Sequence, residues 1–324
     1  LRALIETYPG NREVQNRIGD DAAVWQPSRS HRSVVTSDAL VENVHFRRDT
    51  MPAQDIGYRA MAANLSDLAA MGARPVLATV TLGLPADVPD EEVFALYRGM
   101  LELAAQWRCS IAGGDLSSAS ALVIAITAIG QVRPARIKSR AGARPGDVIA
   151  VTGELGASRA GLHAAQRPQL APALLPAALA AHRRPQPRIA EGAWLAASAN
   201  VHAMMDISDG LSTDLERMCA ASDCAAVIDR VPVAACAGAM AELRHEDPCA
   251  YALAGGEDYE LLVSVAPRAF EYLSARFQKH FGKPLLRVAQ VRAGSGVHIL
   301  RDGREEPLAP LGWDHFANVE RIGQ

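Results

Sequence analysis

Residues 122–132, LVIAITAIGQV, leave the chain few options. The run is aliphatic and β-branched, too short to cross a bilayer as a helix, and reads as a buried strand. Around it the period changes. Residues 58–71 are Ala-rich with apolar side chains at helical spacing, and residues 91–107 form an amphipathic helix opened by acids. Residues 33–37 (SVVTS) and 76–82 (VLATVTL) read as further strands. The same interleaving returns later. Strands are expected at 148–152, 225–228, 259–265 and 297–300. Helices are expected near Ser158, between the prolines of 168–187, after Gly210, and at 234–244 and 267–281. Strand and helix patterns that alternate throughout predict an α/β (or α+β) chain. Residues 134–147, PARIKSRAGARPGD, are basic, poorly periodic and rich in Gly and Pro, so a domain junction is expected there, dividing the chain into 1–136 and 137–324.

With 324 residues and 49% hydrophobic content, two domains with real cores are expected and disorder is not. The net charge of −3 gives no electrostatic reason for nucleic acid or an anionic membrane as partner. No stretch of eighteen apolar residues occurs, and the first residues lack the basic-then-apolar order of a secretory signal. The sequence begins at Leu1 rather than Met, and a few preceding residues are expected. Five scattered cysteines without a CxxC pair argue against a disulfide framework or a zinc knuckle and point to a reducing cytoplasm. The sequon Asn64-Leu65-Ser66 then reads as the start of a buried helix.

Familiar signatures are missing. There is no GxxxxGK[ST], no GxGxxG opening a helix, no GxSxG and no HExxH. His245-Glu246 begins like a zincin motif, but Cys249 stands where its second His belongs. What remains is a set of acid-and-glycine clusters: IGDDAAV at 18–24, TSDAL at 36–40 followed by Val44-His45-Phe46, NLSDLAAMG at 64–72, GGD at 113–115 just before the strand at 122, MDISDGL at 205–211, and GGEDYE at 255–260. Taken singly, each reads as a turn or a helix cap. Asp67 is harder to dismiss. An acid flanked by Leu and Ala must cap a helix, find a partner or hold a metal.

Taken together, the clusters place hard oxygen ligands at the ends of rigid elements, with glycines that let backbone approach a phosphate. Magnesium prefers such oxygens and completes its shell with water and substrate phosphates. The residues therefore point to a multi-magnesium phosphate site.

In this order the clusters resemble those of thiamine-monophosphate kinases, within the superfamily of aminoimidazole ribonucleotide synthetase-like ATP enzymes. The matching strings run from IGDDAAV to the terminal GWDHF, residues 18–316, and include KSRAGARPGD and DISDGLSTDL. The resemblance implies an N-terminal α/β domain that binds ATP and magnesium and dimerises through its sheet, and a C-terminal αβα domain. It implies phosphoryl transfer from ATP, as co-substrate, to thiamine monophosphate, the last step of thiamine diphosphate synthesis. Several Mg2+ ions would be held by Asp21, Thr36, Ser37, Asp38, Asp67, Asp115, Asp206 and Asp209, with Asp20 secondary. Gly114, Asp115, Arg140 and Ser208 would contact ATP, and His45, Glu257 and Trp313 the vitamin. The chain departs from the family pattern at Asn43, where Gly is frequent, and at Leu116, where Thr is frequent. Neither change removes a carboxylate.

The implied chemistry requires no protein base, because the acceptor phosphate is already ionised; charge neutralisation and alignment are the task. The long β-prone run at 122–132 predicts a homodimer, since it is hazardous uncovered. Other functions fit less well. A selenophosphate synthetase is expected to carry Cys or selenocysteine near its start, and the hydrogenase-maturation relative a terminal Cys. A pure binding protein has no use for so many carboxylates, and a dimerisation module leaves them unexplained. His45 and Trp313 also suit plain packing, Glu257 a turn, and Arg140 and Lys138 a solvated basic face.

Overall fold

The first sheet is built around the 122–132 run. The computed structural model describes residues 1–16, 22–167, 169 and 175–313. A short helix α1 (Arg2–Glu6) and a small antiparallel pair, β1 (Val14–Asn16) and β2 (Val24–Trp25), precede β3 (Arg32–Val41). Then come α2 (Ala53–Ala70), β4 (Arg74–Leu84), α3 (Asp90–Gln106), β5 (Ser110–Ser118) and β6 (Val123–Val132). The sheet order is β3-β6-β4-β5, with β6 antiparallel to both neighbours and β4 parallel to β5. Side chains alternate between its faces. Leu40, Ile124, Ile126, Ala128, Val80 and Leu82 point inward and are buried. The opposite face carries Ser37, Ala39, Thr81 and Val35, the last 61% exposed.

The second sheet begins after the basic segment. Its elements are β7 (Val148–Val151), α4 (Ala157–Gln166), α5 (Leu175–Arg183), α6 (Ile189–Ala196), β8 (Val201–Asp206), α7 (Leu211–Ser222) and β9 (Ala225–Ile228). They continue with α8 (Ala235–Leu243), α9 (Pro248–Leu253), β10 (Leu261–Val265), α10 (Phe270–Phe281), β11 (Leu286–Arg292), β12 (Gly296–Arg301) and β13 (Arg304–Pro307). Seven strands run in the order β13-β12-β9-β11-β7-β10-β8, so β8 is an edge strand.

The main core does not stop at the junction. Val148 and Ala150 of β7, Met204 of β8, and Leu261 and Val263 of β10 share one apolar cluster with α2 and α3. The alternate residues Ile149, Val151, Met205 and Leu262 pack with α7 in a second cluster. Helix α2 is consequently buried on nearly every side; of residues 56–70 only Asp67 keeps appreciable exposure.

Three readings of the sequence need correction. Asn64-Leu65-Ser66 is buried but lies in the interior of α2, not at its start, so Asp67 is not an N-cap either. The GGD triplet does precede the strand read at 122, which is β6, but it is not a turn: it lies inside a strand of its own, β5. Lys138, read as solvated, is half-buried and donates from Nζ to the carbonyls of Ser198 and Val201, at 3.0 and 2.6 Å.

Candidate active site

The site forms where α2 meets the end of β8. Along β3 the alternation turns Thr36 and Asp38 inward, toward α2. Thr36 Oγ1 donates a short hydrogen bond to Asp67 Oδ2, and the backbone N–H of Asp38 donates to Asn64 Oδ1 at 3.1 Å. One residue along α2, Ser66 Oγ donates to Asp206 Oδ2 at 2.6 Å. Asp206 is the last residue of β8, so its carboxylate projects from the strand's end across the domain junction.

Three acids thus crowd a buried junction, and their electrostatics record it. Burial raises Asp38, and the charge of Asp67 and a hydrogen bond to it raise it further, with Asp209 adding to the same effect. Burial raises Asp67, against bonds from Thr36 and Asp38 and the positive charge of Arg140. Burial also raises Asp206, reinforced by the charges of Asp67, Asp214 and Asp38 and opposed by the Ser66 bond. Each ionised acid here destabilises the next, and a cation relieves all three.

The donors are hard oxygens, which suits magnesium. Among the described residues no three His, Cys, Asp or Glu side chains converge on one point. An ion held here would take one or two carboxylates and complete its shell with water and phosphate.

The loop after β8 carries Ser208 and Asp209. Arg217 of α7 pairs with Asp209. Asp214 was not singled out from the sequence, because it lies inside a helix pattern. It is fully buried and accepts the backbone N–H groups of Ser208, Asp209 and Gly210 at 3.0–3.1 Å. Burial pushes Asp214 up to about 6, against those bonds and the Arg217 charge.

Glu257 stands beside this loop. Its backbone is left-handed at φ 62°, its N–H donates to Ser208 O at 2.7 Å, and its carboxylate pairs with Arg59 of α2. Arg59 is 1% exposed and was also missed, since an arginine amid helical apolar residues reads as surface. Its Nη1 contacts His182, which burial and the Arg59 charge press down to about 2, hence neutral.

Trp313 is 56% exposed, and its backbone N–H donates to Asp209 O at 3.2 Å. Gly312 permits that approach: a Cβ there would stand 2.0 Å from the same oxygen.

Other expected residues lie apart from this group. Ser37 projects from the opposite face of β3, where its hydroxyl donates to Ile126 O at 3.2 Å and lies 3.1 Å from Thr127 Oγ1. Alternation forbids Ser37 and Asp38 from sharing a face through their side chains. Asp115 pairs in register with Thr81, and across Ala125 with Ala39, three strands from β3 or about 14 Å. It is exposed and accepts from Ser117 Oγ at 2.8 Å. Gly114 has a structural cause of its own. At φ 153° it lies so close to β4 that a Cβ would meet Val80 O at 1.7 Å. His45 is half-buried and accepts the N–H of Val41 on Nδ1 at 3.0 Å, closing the turn after β3. Asn43 in that turn has φ 64°, a conformation Asn adopts more readily than most residues, which accounts for Asn where Gly is frequent. Leu116 is half exposed on the edge strand β5. Asp20, Asp21 and the last three residues of GWDHF lie outside the described residues.

Residues 19–132 match the N-terminal domain, and residues 144–299 the C-terminal domain, of AIR synthase related proteins. Fold and sequence thus define the class as a two-domain AIR synthase related protein. Within it, the thiamine-monophosphate kinase of Synechococcus elongatus is 41% identical over 305 residues, covering 92% of this chain and 91% of that protein. The crystal structure of thiamine-monophosphate kinase from Stenotrophomonas maltophilia superposes with a TM-score of 0.83 at 35% identity, covering 94% of each chain. A second solved structure, "AaThiL complexed with AMPPCP and TMP", gives 0.79 at 30% identity over 92% of each chain. The chain belongs to the thiamine-monophosphate kinase family, a family of phosphotransferases.

Proposed function

We propose that the protein transfers the γ-phosphoryl group of ATP to thiamine monophosphate, giving thiamine diphosphate and ADP. The observation that carries this reading is the set of Asp38 and Asp67, both partly buried, and buried Asp206 at the domain junction, with Ser208 and Asp209 on one side and Glu257 and Trp313 beside them. Such a set serves a reaction whose obstacle is bringing two polyanions into line. A phosphate oxygen of the acceptor attacks the γ-phosphorus as the bond to the β-phosphate oxygen breaks. The attacking oxygen carries no proton at neutral pH, so no side chain need act as base.

Bound Mg2+ would supply the neutralising charge, held by Asp38, Asp67, Asp206 and Asp209, with Thr36 orienting Asp67. Asp21 and Asp115 remain in the proposed ligand set, and Ser37 through its backbone oxygen. Arg140, whose charge reaches Asp67, and Ser208 would contact ATP alongside Gly114. Glu257, oriented by Arg59, would pair with an amine of the vitamin, Trp313 would stack on a ring, and His45 would contact the vitamin from the turn after β3.

A homodimer is part of the proposal, and the uncovered outer face of the first sheet, with Val35 at 61% exposure, supports it. A division of the chain at 136/137 is also part of the proposal; the four-stranded sheet precedes it and the seven-stranded sheet follows it. No helix among the described residues is long and apolar enough to cross a membrane. A cytoplasmic site of action is proposed from the unpaired cysteines.

Incubation with ATP, Mg2+ and thiamine monophosphate, with the product weighed by mass spectrometry, tests the function. Thiamine diphosphate is expected, and none from unphosphorylated thiamine. Equal turnover of thiamine sinks the reading. Sedimentation at micromolar protein tests the dimer.

A further inference from the structure

The backbone from Ile207 to Gly210 is gripped from two sides. On one side stands Asp214, whose Oδ2 accepts N–H groups from Ser208, Asp209 and Gly210 at 3.1, 3.0 and 3.1 Å. Three consecutive amides aimed at one point form a concavity that ordinarily takes a bound anion. Here the chain's own carboxylate fills it, fully buried, with Arg217 Nη1 donating to Oδ1 at 3.0 Å.

The other side follows from peptide geometry. In a trans peptide the N–H of one residue and the C=O of the residue before it point in opposite directions. Each of the three peptides that gives its N–H to Asp214 therefore offers a carbonyl on the far side, and all three are used. Ile207 O accepts from Tyr259 N at 3.0 Å, Ser208 O from Glu257 N at 2.7 Å, and Asp209 O from Trp313 N at 3.2 Å. The same three peptide planes that orient Ser208 and Asp209 dock the backbones of Glu257 and Trp313. A capping box explains only the Gly210 contact, since it reaches the N-cap amide alone.

We propose that Asp214 is a positioning residue that aligns these three peptide planes, and through them sets the nucleotide loop and the vitamin-binding residues in one common register. It touches neither substrate. Its carboxylate polarises all three peptides in the same sense, which strengthens the bonds their carbonyls accept. The inference rests on the proposed assignment of Ser208 and Asp209 to ATP and of Glu257 and Trp313 to thiamine monophosphate.

The test is Asp214→Asn, read in two ways. Amide hydrogen exchange on the substrate-free protein needs no activity. Six amides should lose protection together, by roughly tenfold or more: Ser208, Asp209, Gly210, Glu257, Tyr259 and Trp313. Steady-state kinetics should show KM rising by roughly tenfold for ATP and for thiamine monophosphate alike. A helix cap alone would lower stability and leave both KM values and the last three amides unchanged, and that result overturns the proposal. If Asp214→Asn does not fold, Arg217→Met replaces it, since that side chain is 42% exposed. The same six amides should then lose protection to a smaller degree, and unchanged protection is equally fatal. If the six amides respond while wild-type protein turns over no thiamine monophosphate, the substrate assignment fails and the positioning role stands.

Discussion

Ser66 and Asp206 are 140 positions apart and belong to different sheets' domains, yet Ser66 Oγ donates to Asp206 Oδ2 at 2.6 Å with the serine wholly buried. The hydroxyl is the one partner from α2 that favours the ionised form of a carboxylate which burial and its acidic neighbours disfavour. Ser66→Ala should therefore destabilise the fold by about 1–3 kcal/mol, the cost of leaving a buried polar group without its partner. Urea denaturation measures it, and an unchanged midpoint and slope would contradict the bond's importance.

Asp38→Asn and Asp67→Asn should each cut kcat by roughly a hundred- to a thousandfold, as loss of one preorganised charge-stabilising element does. Removing one of two mutually repelling acids should also leave the protein in EDTA no less stable than wild type. Near-normal turnover in both variants at saturating magnesium rejects the metal assignment; a large loss of stability in EDTA rejects the repulsion argument.

Trp313→Ala should raise the apparent constant for thiamine monophosphate by about tenfold, using stacking on bases as the scale. The constant for ATP should barely move, because stacking at a remote ring contributes uniform binding. Gly312→Ala should copy this effect with the tryptophan intact, since its Cβ would collide with Asp209 O and lift the segment. If ATP affinity collapses in Trp313→Ala, the vitamin lies elsewhere.

Asp258 supplies a pH dependence. Its carboxylate accepts from the N–H groups of Gly156 and Ser158, at 2.6 and 3.0 Å, and so caps α4 from 100 residues away. Burial nonetheless pushes it up to about 7, with Glu260 and Glu257 adding to the rise. A group raised on folding holds its proton longer in the native state. The stability it contributes is full below about pH 4 and drains away as pH rises through about 7. The stability of wild type relative to Asp258→Asn should therefore fall across that window and be flat on either side. Denaturation curves at a series of pH values measure the difference, and a difference independent of pH refutes it.

Strong periodicity was legible in the sequence. The strand at 225–228 is found as β9 (Ala225–Ile228), and the 91–107 helix as α3 (Asp90–Gln106). What escaped were elements whose composition speaks against them. Strand β5 contains Gly113, Gly114 and three serines, and it forms because only glycine lets it approach β4 so closely. Strand β8, VHAMMD, is short and partly polar, yet it delivers Asp206. The clusters around Asp38, Asp67 and Asp206 do meet, as their chemistry suggested. Arg59 and Asp214 were invisible, because burial of a charged side chain within a helix follows from what packs on that helix, not from its own period. Ser37 shows the opposite limit: adjacency in a motif is not adjacency in space when the motif lies on a strand.

Helix α2 and helix α6 touch at Gly192, where an added Cβ would stand 2.2 Å from Ala69 O. Main chain there rests directly on main chain, with no side chain between to shorten or swing. The two helices therefore keep their spacing at this point by backbone alone, and any side chain larger than hydrogen at position 192 would wedge them apart. Gly192→Ala should then disturb the seating of α2, and with it Ser66 and Asp67, without altering a single group that carries charge.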